Sequence, residues 1–382
     1  MDGGVRFADR VRGCLLGGAI GDALGAPIEF VSSGEIARTF GSSGLRAYLP
    51  VTFDGDHGVG LVTDDTQMTL FTVEGIIRAD IRWRSKGICH PPAVIHHAYL
   101  RWLTTQEVPG PPPSAQRHDV DGVDGWLGRE SWLYSRRAPG LTCISELSAS
   151  RSGGFGWVAV NDSKGCGTVM RSAPFGLARA HDPGAIAMEC AAITHGHITG
   201  QVAAGAFAVL IDAIVAGHSL TESIDVMMAW LGGVDGADET IRAISQAITC
   251  GATSPRTQEV VESLGGGWVA EEALAIGVFA ALAYPEPEQV LDALALAVTH
   301  GGDADSTGSI CGNILGALHG TEALPAELLE PLEGRATITQ LSDDFVAIAT
   351  NAAGIMASAV RAPGVITIPV VSESWLDRYP GW

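Results

Sequence analysis

Positive charge is scarce in this 382-residue chain, which carries 23 Lys and Arg side chains against 43 Asp and Glu, a formal net charge of −20. A protein that holds a nucleic-acid backbone needs a field of Lys and Arg to neutralise the phosphates. The charge therefore argues against that class of protein. A nucleotide-sized ligand held by backbone amides and a metal ion stays open.

Cysteine pairs are also lacking. The seven cysteines are odd in number, and none of them forms a C-x-x-C motif. Reduced thiols in a cytosol fit this usage better than a disulfide framework. We therefore expect a cytoplasmic protein.

An uninterrupted hydrophobic run is missing as well. Residues 1–13 contain several charged side chains and no apolar segment of the kind found in a secretory signal. The longest apolar stretch, 186–217, is interrupted by charged and polar residues that include Glu189, His195 and Asp212. A membrane span would not tolerate that series cheaply. We expect buried helices and no contact with a membrane.

Alternating β-branched runs are scarce, and apolar residues recur instead at the i, i+3 and i+4 spacing typical of helices. The sequence predicts one all-α domain over residues 1–361, with a loop-rich excursion at about 105–165 whose tryptophans need a packing surface. Residues 362–382 are predicted to form an extended tail. The predicted helices cover 8–24, 64–79, 91–104, 185–195, 198–217, 220–230, 237–250, 257–264, 270–283, 287–298, 306–319 and 342–359.

Small residues recur every fourth position in three of these helices. Each glycine inside a helix costs roughly 0.5–1 kcal/mol relative to alanine, so a row of them indicates close approach of another backbone. We expect these three helices to pack tightly and to bring Asp22, Glu29, His195, Asp303 and Asp305 near one another. The three stripes are Gly13/Gly17/Gly21/Gly25, Gly308/Gly312/Gly316 and Gly196/Gly200/Ala204/Ala208.

Two acidic clusters, Thr63-Asp64-Asp65 and Gly301-Gly302-Asp303-Ala304-Asp305-Ser306, each open a helix-like segment. Thr and Asp at such a place are ordinary helix caps. Capping needs one side chain per helix, however, and both ends carry surplus acids flanked by hydroxyls. If the fold brings the clusters together, their oxygens form a cage suited to Mg²⁺ or Mn²⁺.

Two further motifs lie between the acidic clusters. The segment Thr194-His195-Gly196-His197 has small neighbours that leave room for a ligand, although either histidine could simply belong to the core. The glycine-rich loop 161–168 could offer backbone amides to phosphate. It matches neither a Walker A nor a G-x-G-x-x-G template, and no His/Cys tetrad with zinc spacing is present.

Taken in order, these motifs resemble the ADP-ribosylglycohydrolase family over about residues 10–320. No single motif is specific, but the combination is. The resemblance implies an all-α orthogonal helical bundle with two Mg²⁺ or Mn²⁺ ions at helix ends, and hydrolysis of the α-glycosidic bond joining ADP-ribose to an acceptor. The motifs are Gly21-Asp22-Ala23-Leu24-Gly25 with Glu29, Thr63-Asp64-Asp65, Gly165-Cys166-Gly167-Thr168-Val169-Met170-Arg171, Thr194-His195 and Gly302-Asp303-Ala304-Asp305-Ser306.

The resemblance assigns roles residue by residue. The implied metal ligands are Thr63, Asp64, Asp65, Asp303, Asp305 and Ser306. The implied substrate-binding residues are Ser163, Lys164, Gly165, Cys166, Gly167 and His195. Glu29, Asp64 and Asp303 are the predicted catalytic residues. The chain departs from the family pattern at Ser306, where many members have Thr, and at Cys166, where several have Asn.

Elementary chemistry agrees with these roles. Cleavage at the anomeric carbon of ADP-ribose builds oxocarbenium-like character on the sugar. A metal pair can orient the ribose hydroxyls and lower the pKa of a water molecule, and a carboxylate such as Glu29 or Asp64 can take the proton. The sequence leaves the choice between those two bases open.

Other classes of protein compete with this interpretation. An isoprenoid synthase is also all-α, but Asp64-Asp65-Thr66-Gln67-Met68 lacks the last acid of D-D-x-x-D. An HD-type phosphohydrolase would have to use His118-Asp119 or His181-Asp182, which lie in polar stretches. A non-catalytic, ADP-ribose-binding or structural relative is the main alternative.

The acceptor is not encoded in any motif. The expected partner is an ADP-ribosylated protein, through arginine or another residue, or a small-molecule ADP-ribose conjugate. A nucleic-acid adduct is allowed by the family but not indicated by the charge.

Overall fold

The structure is a computed structural model, which describes residues 2–111, 123–153, 155–351, 356–358 and 369–380. These residues form seventeen α-helices, several 3₁₀ turns and two short two-stranded sheets, so the expectation of a mostly helical protein is confirmed. The helices are α1 (Asp2–Gly25), α2 (Ser33–Phe40), α3 (Asp64–Lys86), α4 (Pro91–Thr105), α5 (Leu141–Ser150), α6 (Ala173–Leu177), α7 (Pro183–Ala191), α8 (Ile198–Ala216), α9 (Leu220–Leu231), α10 (Asp238–Thr253), α11 (Gln258–Ser263), α12 (Ala270–Ala283), α13 (Val290–Val298), α14 (Ala304–His319), α15 (Ala326–Leu329), α16 (Arg335–Ala349) and α17 (Glu373–Arg378).

Both sheets are antiparallel and peripheral. The first pairs β1 (Val51–Phe53) with β2 (Asp56–Gly58), and the second pairs β3 (Met356–Ser358) with β4 (Pro369–Val371). The core therefore consists of helices packed on helices.

The two glycine stripes of α1 and α14 face each other, as the spacing predicts. A Cβ added at Gly17 or Gly21 would overlap a backbone carbonyl of α14, and the reverse holds for Gly308 and Gly312. The two backbones therefore touch directly. This contact brings Asp22, on α1, close to the start of α14.

The stripe that begins before α8 has different partners, which corrects the expectation of one pack of three glycine-lined helices. A Cβ at Gly196 would overlap Asn161, and one at Gly200 would lie 3.2 Å from Lys164 Cα. Further along α8, the carbonyl of Ala208 is approached by Gly176 of α6. The α8 stripe thus holds the glycine-rich loop in place.

Replacing Gly21 by Ala tests the close approach of α1 and α14. The new methyl group would overlap the Gly308 carbonyl, so we expect the free energy of unfolding to fall by about 1–3 kcal/mol. The matched control is Gly34→Ala in α2, where a Cβ meets nothing within 4 Å. That change should stabilise the protein by roughly 0.5–1 kcal/mol. Equal effects in urea denaturation would contradict the packing described.

One helix of the described residues, α8, is long and apolar enough to cross a membrane. Of its most apolar 18-residue window, 83% is buried inside the fold. Core helices of globular proteins have this character.

The excursion packs onto the helical body. Trp126, Trp132 and Trp157 are partly buried against the core, and Trp102, which lies in α4 just before the excursion, is fully buried. The excursion also contains α5, which was not predicted. Residues 112–122 and 154 of the excursion, including His118 and Asp119, lie outside the described residues.

The tail is only partly extended. β4 is extended, but it is followed by α17, and the side chain of Tyr379 is fully buried with its hydroxyl bonded to Asp344 Oδ2 at 2.6 Å. Residues 362–368 and 381–382 of the predicted tail lie outside the described residues. The sequence predicted an extended tail because of the prolines at 363, 369 and 380. These prolines lie outside the short helix α17 and do not interrupt it.

Candidate active site

The N-terminus of α3 is held by an aspartate of α1. The Asp22 carboxylate accepts hydrogen bonds from the backbone N–H groups of Thr63 and Thr66, at 3.0 and 3.1 Å, and from the Thr66 hydroxyl at 2.5 Å. The Thr63 hydroxyl caps the helix by accepting from the Asp65 N–H at 3.2 Å. Capping of α3 is therefore complete without the side chains of Asp64 and Asp65.

Those two aspartates point elsewhere. Asp64 Oδ2 accepts a 3.3 Å hydrogen bond from the Gly140 N–H. Asp65 Oδ1 is buried and has no hydrogen-bond partner in the described residues. An unpaired buried carboxylate oxygen is costly, so its presence indicates an absent partner.

The second acidic cluster lies at the start of α14. Asp303 caps this helix by accepting from the Ser306 N–H at 3.3 Å, and Asp305 Oδ1 accepts from the same N–H at 2.9 Å. The Cys166 thiol donates to Asp303 Oδ2 at 2.7 Å. The Asp305 charge raises the pKa values of Asp64 and Asp65, and the two helices are in contact, so the two helix starts lie close together.

We call six side chains the acid cluster: Asp22, Glu29, Asp64, Asp65, Asp303 and Asp305. All are buried, at 8% exposure or less. Asp305 exerts a charge effect on each of the other five. In the described residues no Lys or Arg forms a salt bridge with any of the six. Carboxylates packed this way repel one another.

Burial and mutual repulsion change how these acids titrate. Burial, with the Asp305 carboxylate second, raises the pKa of Asp22 to about 7. Burial and then Asp305 and Asp303 raise the pKa of Glu29 to about 10. The pKa values of Asp64, Asp65 and Asp303 lie well above the usual range, chiefly because of burial. Such a site favours protons or cations.

The donor set fits hard divalent cations. Its oxygens come from carboxylates and from the hydroxyls of Thr63 and Ser306, which Mg²⁺ and Mn²⁺ prefer over nitrogen or sulfur. The unpaired Asp65 Oδ1 supplies a free ligand atom. In their present positions, no three His, Cys, Asp or Glu side chains of the described chain are arranged to hold an ion. The metal ligands therefore stay predictions.

The glycine-rich loop borders the acid cluster. Its middle is fixed by the Cys166 N–H, which donates to the Trp268 carbonyl at 3.1 Å, and by the Lys164 carbonyl, which accepts from the Ala270 N–H at 2.9 Å. At its start, the Ser163 hydroxyl lies 3.1 Å from that of Thr142. The loop is therefore held on both sides, with Gly165, Cys166 and Gly167 between the acids and His195.

Lys164 is placed differently from a free phosphate-binding lysine. Its ammonium group donates to the carboxylates of Glu239 and Glu271. Any phosphate would compete with these two acids. A role for Lys164 in ligand binding stays a prediction.

The two histidines have different surroundings. His195 is 2% exposed, and its Nδ1 lies 2.8 Å from the Thr194 hydroxyl. His197 Nδ1 accepts from the Thr199 N–H at 3.1 Å and caps α8. Helix capping is a sufficient role for His197. For His195, the contact of Nδ1 with Thr194 does not account for the other ring nitrogen, Nε2.

The comparison with known families gives a direct result. The family model described as ADP-ribosylglycohydrolase matches residues 4–354. The chain belongs to the ADP-ribosylglycohydrolase family.

Individual relatives match most of the length of this chain. An uncharacterized protein of Archaeoglobus fulgidus is 28% identical over 87% of this chain and 95% of its own. The ADP-ribosyl-[dinitrogen reductase] glycohydrolase of Rhodospirillum rubrum is 23% identical over 85% and 90%. The ADP-ribosylarginine hydrolase Tri1 of Pseudomonas putida is 24% identical over 88% and 78%.

A solved structure titled "ADP-ribosylglycohydrolase-related protein complex" has the same fold. It matches with a TM-score of 0.64 and 23% identity, and it covers 90% of this chain and 99% of the solved chain. The helical architecture is therefore that of the ADP-ribosylglycohydrolase fold.

Several residues at the candidate site were not predicted as such. Asp22 was expected nearby, but its hydrogen bonds to the start of α3 were not. A lone carboxylate inside an apolar helix was the available signal. The exposed rings of Phe30, which follows Glu29 in the chain, and Trp268 stack with their centroids 5.8 Å apart. They are far apart in sequence, and no pattern predicts their contact.

Proposed function

We propose that this protein uses two Mg²⁺ or Mn²⁺ ions to hydrolyse the α-glycosidic bond between ADP-ribose and an acceptor, with release of ADP-ribose. One observation carries the proposal. Six buried carboxylates lie beside a glycine-rich loop of the kind that accommodates phosphate. Among the described residues, no Lys or Arg pairs with any of the six, and one carboxylate oxygen has no hydrogen-bond partner. Bound cations would neutralise the mutual repulsion of these carboxylates.

The chain's own residues provide position and proton transfer. Divalent ions, when bound, supply Lewis acidity that orients ribose hydroxyls and activates water. The ions would be held by Thr63, Asp64, Asp65, Asp303, Asp305 and Ser306. The loop 163–167 would hold the diphosphate beside the buried acids.

Glu29 is the better candidate for the proton acceptor. Asp64 Oδ2 already accepts from the Gly140 N–H, whereas no hydrogen bond to another described residue occupies the Glu29 carboxylate. Burial and the neighbouring carboxylates raise the pKa of Glu29 to about 10 in the absence of metal; bound divalent ions would offset those charges, so that the free Glu29 carboxylate could take a proton from the attacking water. We therefore assign proton transfer to Glu29.

We propose ADP-ribosyl-arginine as the first acceptor to examine, on a protein or in a small conjugate. Two observations support it: one relative is named an ADP-ribosylarginine hydrolase, and the net charge of −20 suits a cationic guanidinium acceptor. The same charge disfavours a nucleic-acid adduct. A cytoplasmic location is consistent with the seven free cysteines.

A panel of arginine-, serine- and base-linked ADP-ribose conjugates with Mn²⁺ or Mg²⁺ tests this proposal. We expect release of ADP-ribose, with kcat/KM at least about tenfold higher for the arginine conjugate, a difference of 1.4 kcal/mol in the barrier. Thermal stabilisation by ADP-ribose without turnover of any conjugate would support the non-catalytic binding relative instead.

A further inference from the structure

Arg171 is a buried cation without a carboxylate. It is 1% exposed, and its guanidinium lies over the Tyr99 ring, 4.3 Å from the ring centroid. Nη2 donates to the Thr194 hydroxyl at 2.6 Å, and Nη1 lies 3.5 Å from Cys143 Sγ. Among the described residues it has no acidic partner. Its shortest polar contact is with Thr194.

The direction of the next hydrogen bond follows from this contact. A guanidinium can only donate, so the Thr194 oxygen accepts from Arg171 and has its own proton left to give. His195 Nδ1 lies 2.8 Å from that oxygen, whereas the Ala191 carbonyl is 3.5 Å away. Donation from the cation also makes the hydroxyl a stronger donor. The Thr194 proton therefore goes to His195 Nδ1.

A histidine that accepts at Nδ1 carries its proton at Nε2. Nε2 faces the glycine-rich loop: a Cβ at Gly165 would lie 3.3 Å from it, and a Cβ at Gly167 would lie 3.4 Å from it. No hydrogen bond within the described residues uses Nε2. The two glycines leave open the space toward which this N–H points.

The ring stays neutral at physiological pH. Burial, and then the Arg171 cation, lower the pKa of His195 to about 3. Its Nε2–H is therefore a donor whose strength does not change between about pH 5 and 8.

We propose that Arg171 and Thr194 are positioning residues that fix His195 in its Nε2–H form, so that the site presents a neutral donor to an oxygen of the ligand. The loop beside Nε2 makes that oxygen a phosphate or ribose oxygen. The identity of the ligand as ADP-ribose rests on the proposed function, but the tautomer does not.

Imidazole nitrogen NMR of the full chain with ¹⁵N-labelled histidine reads the tautomer directly. The chain has 11 histidines, and the signals that vanish in His195→Gln identify the ring. We expect a protonated Nε2 and an unprotonated Nδ1, unchanged from pH 5 to 8. A protonated Nδ1 would overturn the proposal.

We call the two hydrogen bonds from Arg171 to Thr194 and from Thr194 to His195 the relay. Two substitutions at Thr194 test the relay. Thr194→Val removes the hydroxyl, and we expect His195 to become a mixture of tautomers and the Kd for ADP-ribose, with Mn²⁺ present, to rise about tenfold. Thr194→Ser keeps the hydroxyl and should stay within about twofold of the native Kd, with the native tautomer. A native tautomer and Kd in Thr194→Val, or failure of Thr194→Ser to restore both, would refute the role.

These measurements separate the inference from the proposed function. The tautomer and the affinity for ADP-ribose need no turnover, so an inactive protein would still report on the relay. If Thr194→Val does not fold, as judged by circular dichroism, the wild-type tautomer and Thr194→Ser still decide the question. Active protein with an Nδ1–H His195 would overturn only the relay.

Discussion

Substituting Asp303 with Asn is expected to lower kcat/KM by about a thousandfold or more while the fold stays intact. The change removes one carboxylate charge from the acid cluster at almost no steric cost. A metal ligand supplies several kcal/mol of charge stabilisation in the transition state, and about 4 kcal/mol corresponds to a factor of 10³. Asn is also a good helix cap, so the hydrogen bond from the Ser306 N–H to this side chain can persist.

The fold itself should benefit in the metal-free protein. Burial and the Asp305 charge raise the pKa of Asp303 well above its usual range, so an ionised Asp303 is costly in the metal-free fold, and the neutral amide removes that cost. We expect a melting temperature without metal that is equal to or above that of the wild type.

Asp292→Asn is the matched control for this substitution. Asp292 is 37% exposed and pairs with Arg46 at 2.7 Å, outside the acid cluster. Its loss should leave kcat/KM unchanged. Wild-type turnover by Asp303→Asn in metal-replete buffer would refute the assignment of Asp303.

Replacing Arg78 with Met is expected to cost about 3–5 kcal/mol of unfolding free energy. Arg78 is 1% exposed and donates to Glu74 Oε1 and Asp124 Oδ1, both at 2.7 Å, and to the Asp124 carbonyl at 2.8 Å. Arg101 shares Glu74 at 2.8 Å. Without Arg78, the buried Asp124 side chain would lose its short charged partner, because Arg101 lies 3.9 Å from it.

Urea denaturation of Arg78→Met beside Arg12→Met measures this effect. Arg12 pairs with Asp343 at 2.5 Å, but both side chains are about two-fifths exposed. A solvated pair of this kind contributes less than about 1 kcal/mol. If the two variants lost similar stability, the buried network would not have the role assigned to it.

The central contact of the fold was predictable because its signal is repetitive. Glycines four residues apart on α1 and on α14 predict that another backbone comes close, even when the contacting helix is unknown. The two stripes have the same four-residue spacing, and they contact each other. The stripe at α8 has the same pattern, but it contacts the loop at Asn161 and Lys164. The spacing of the glycines indicates that another segment packs closely against the helix, but it does not identify that segment.

The acid cluster was predictable only in part. Surplus acids beside Thr63 and Ser306 indicated more than capping, and the helix starts do lie close together. That Asp22 would hold the start of α3, and so release Asp64 and Asp65 from capping, depends on tertiary contact. The ion pairs of Lys164 with Glu239 and Glu271 arise in the same way, between segments distant in sequence.

The relay behind His195 could not be found in the sequence either. Arg171 and Thr194 are 23 residues apart, and their contact is made only when the chain folds. The small neighbours of His195 indicated space for a ligand, and two of the residues that leave it, Gly165 and Gly167, come from another segment.

Release of ADP-ribose by metal-depleted and metal-restored protein tests the central claim most directly. The protein is treated with EDTA, freed of chelator, and assayed on ADP-ribosyl-arginine before and after addition of Mn²⁺ or Mg²⁺. We predict loss of turnover on depletion and recovery on restoration, with no recovery in Asp303→Asn. Turnover that is indifferent to chelation would contradict the interpretation of the acid cluster as a divalent-metal site.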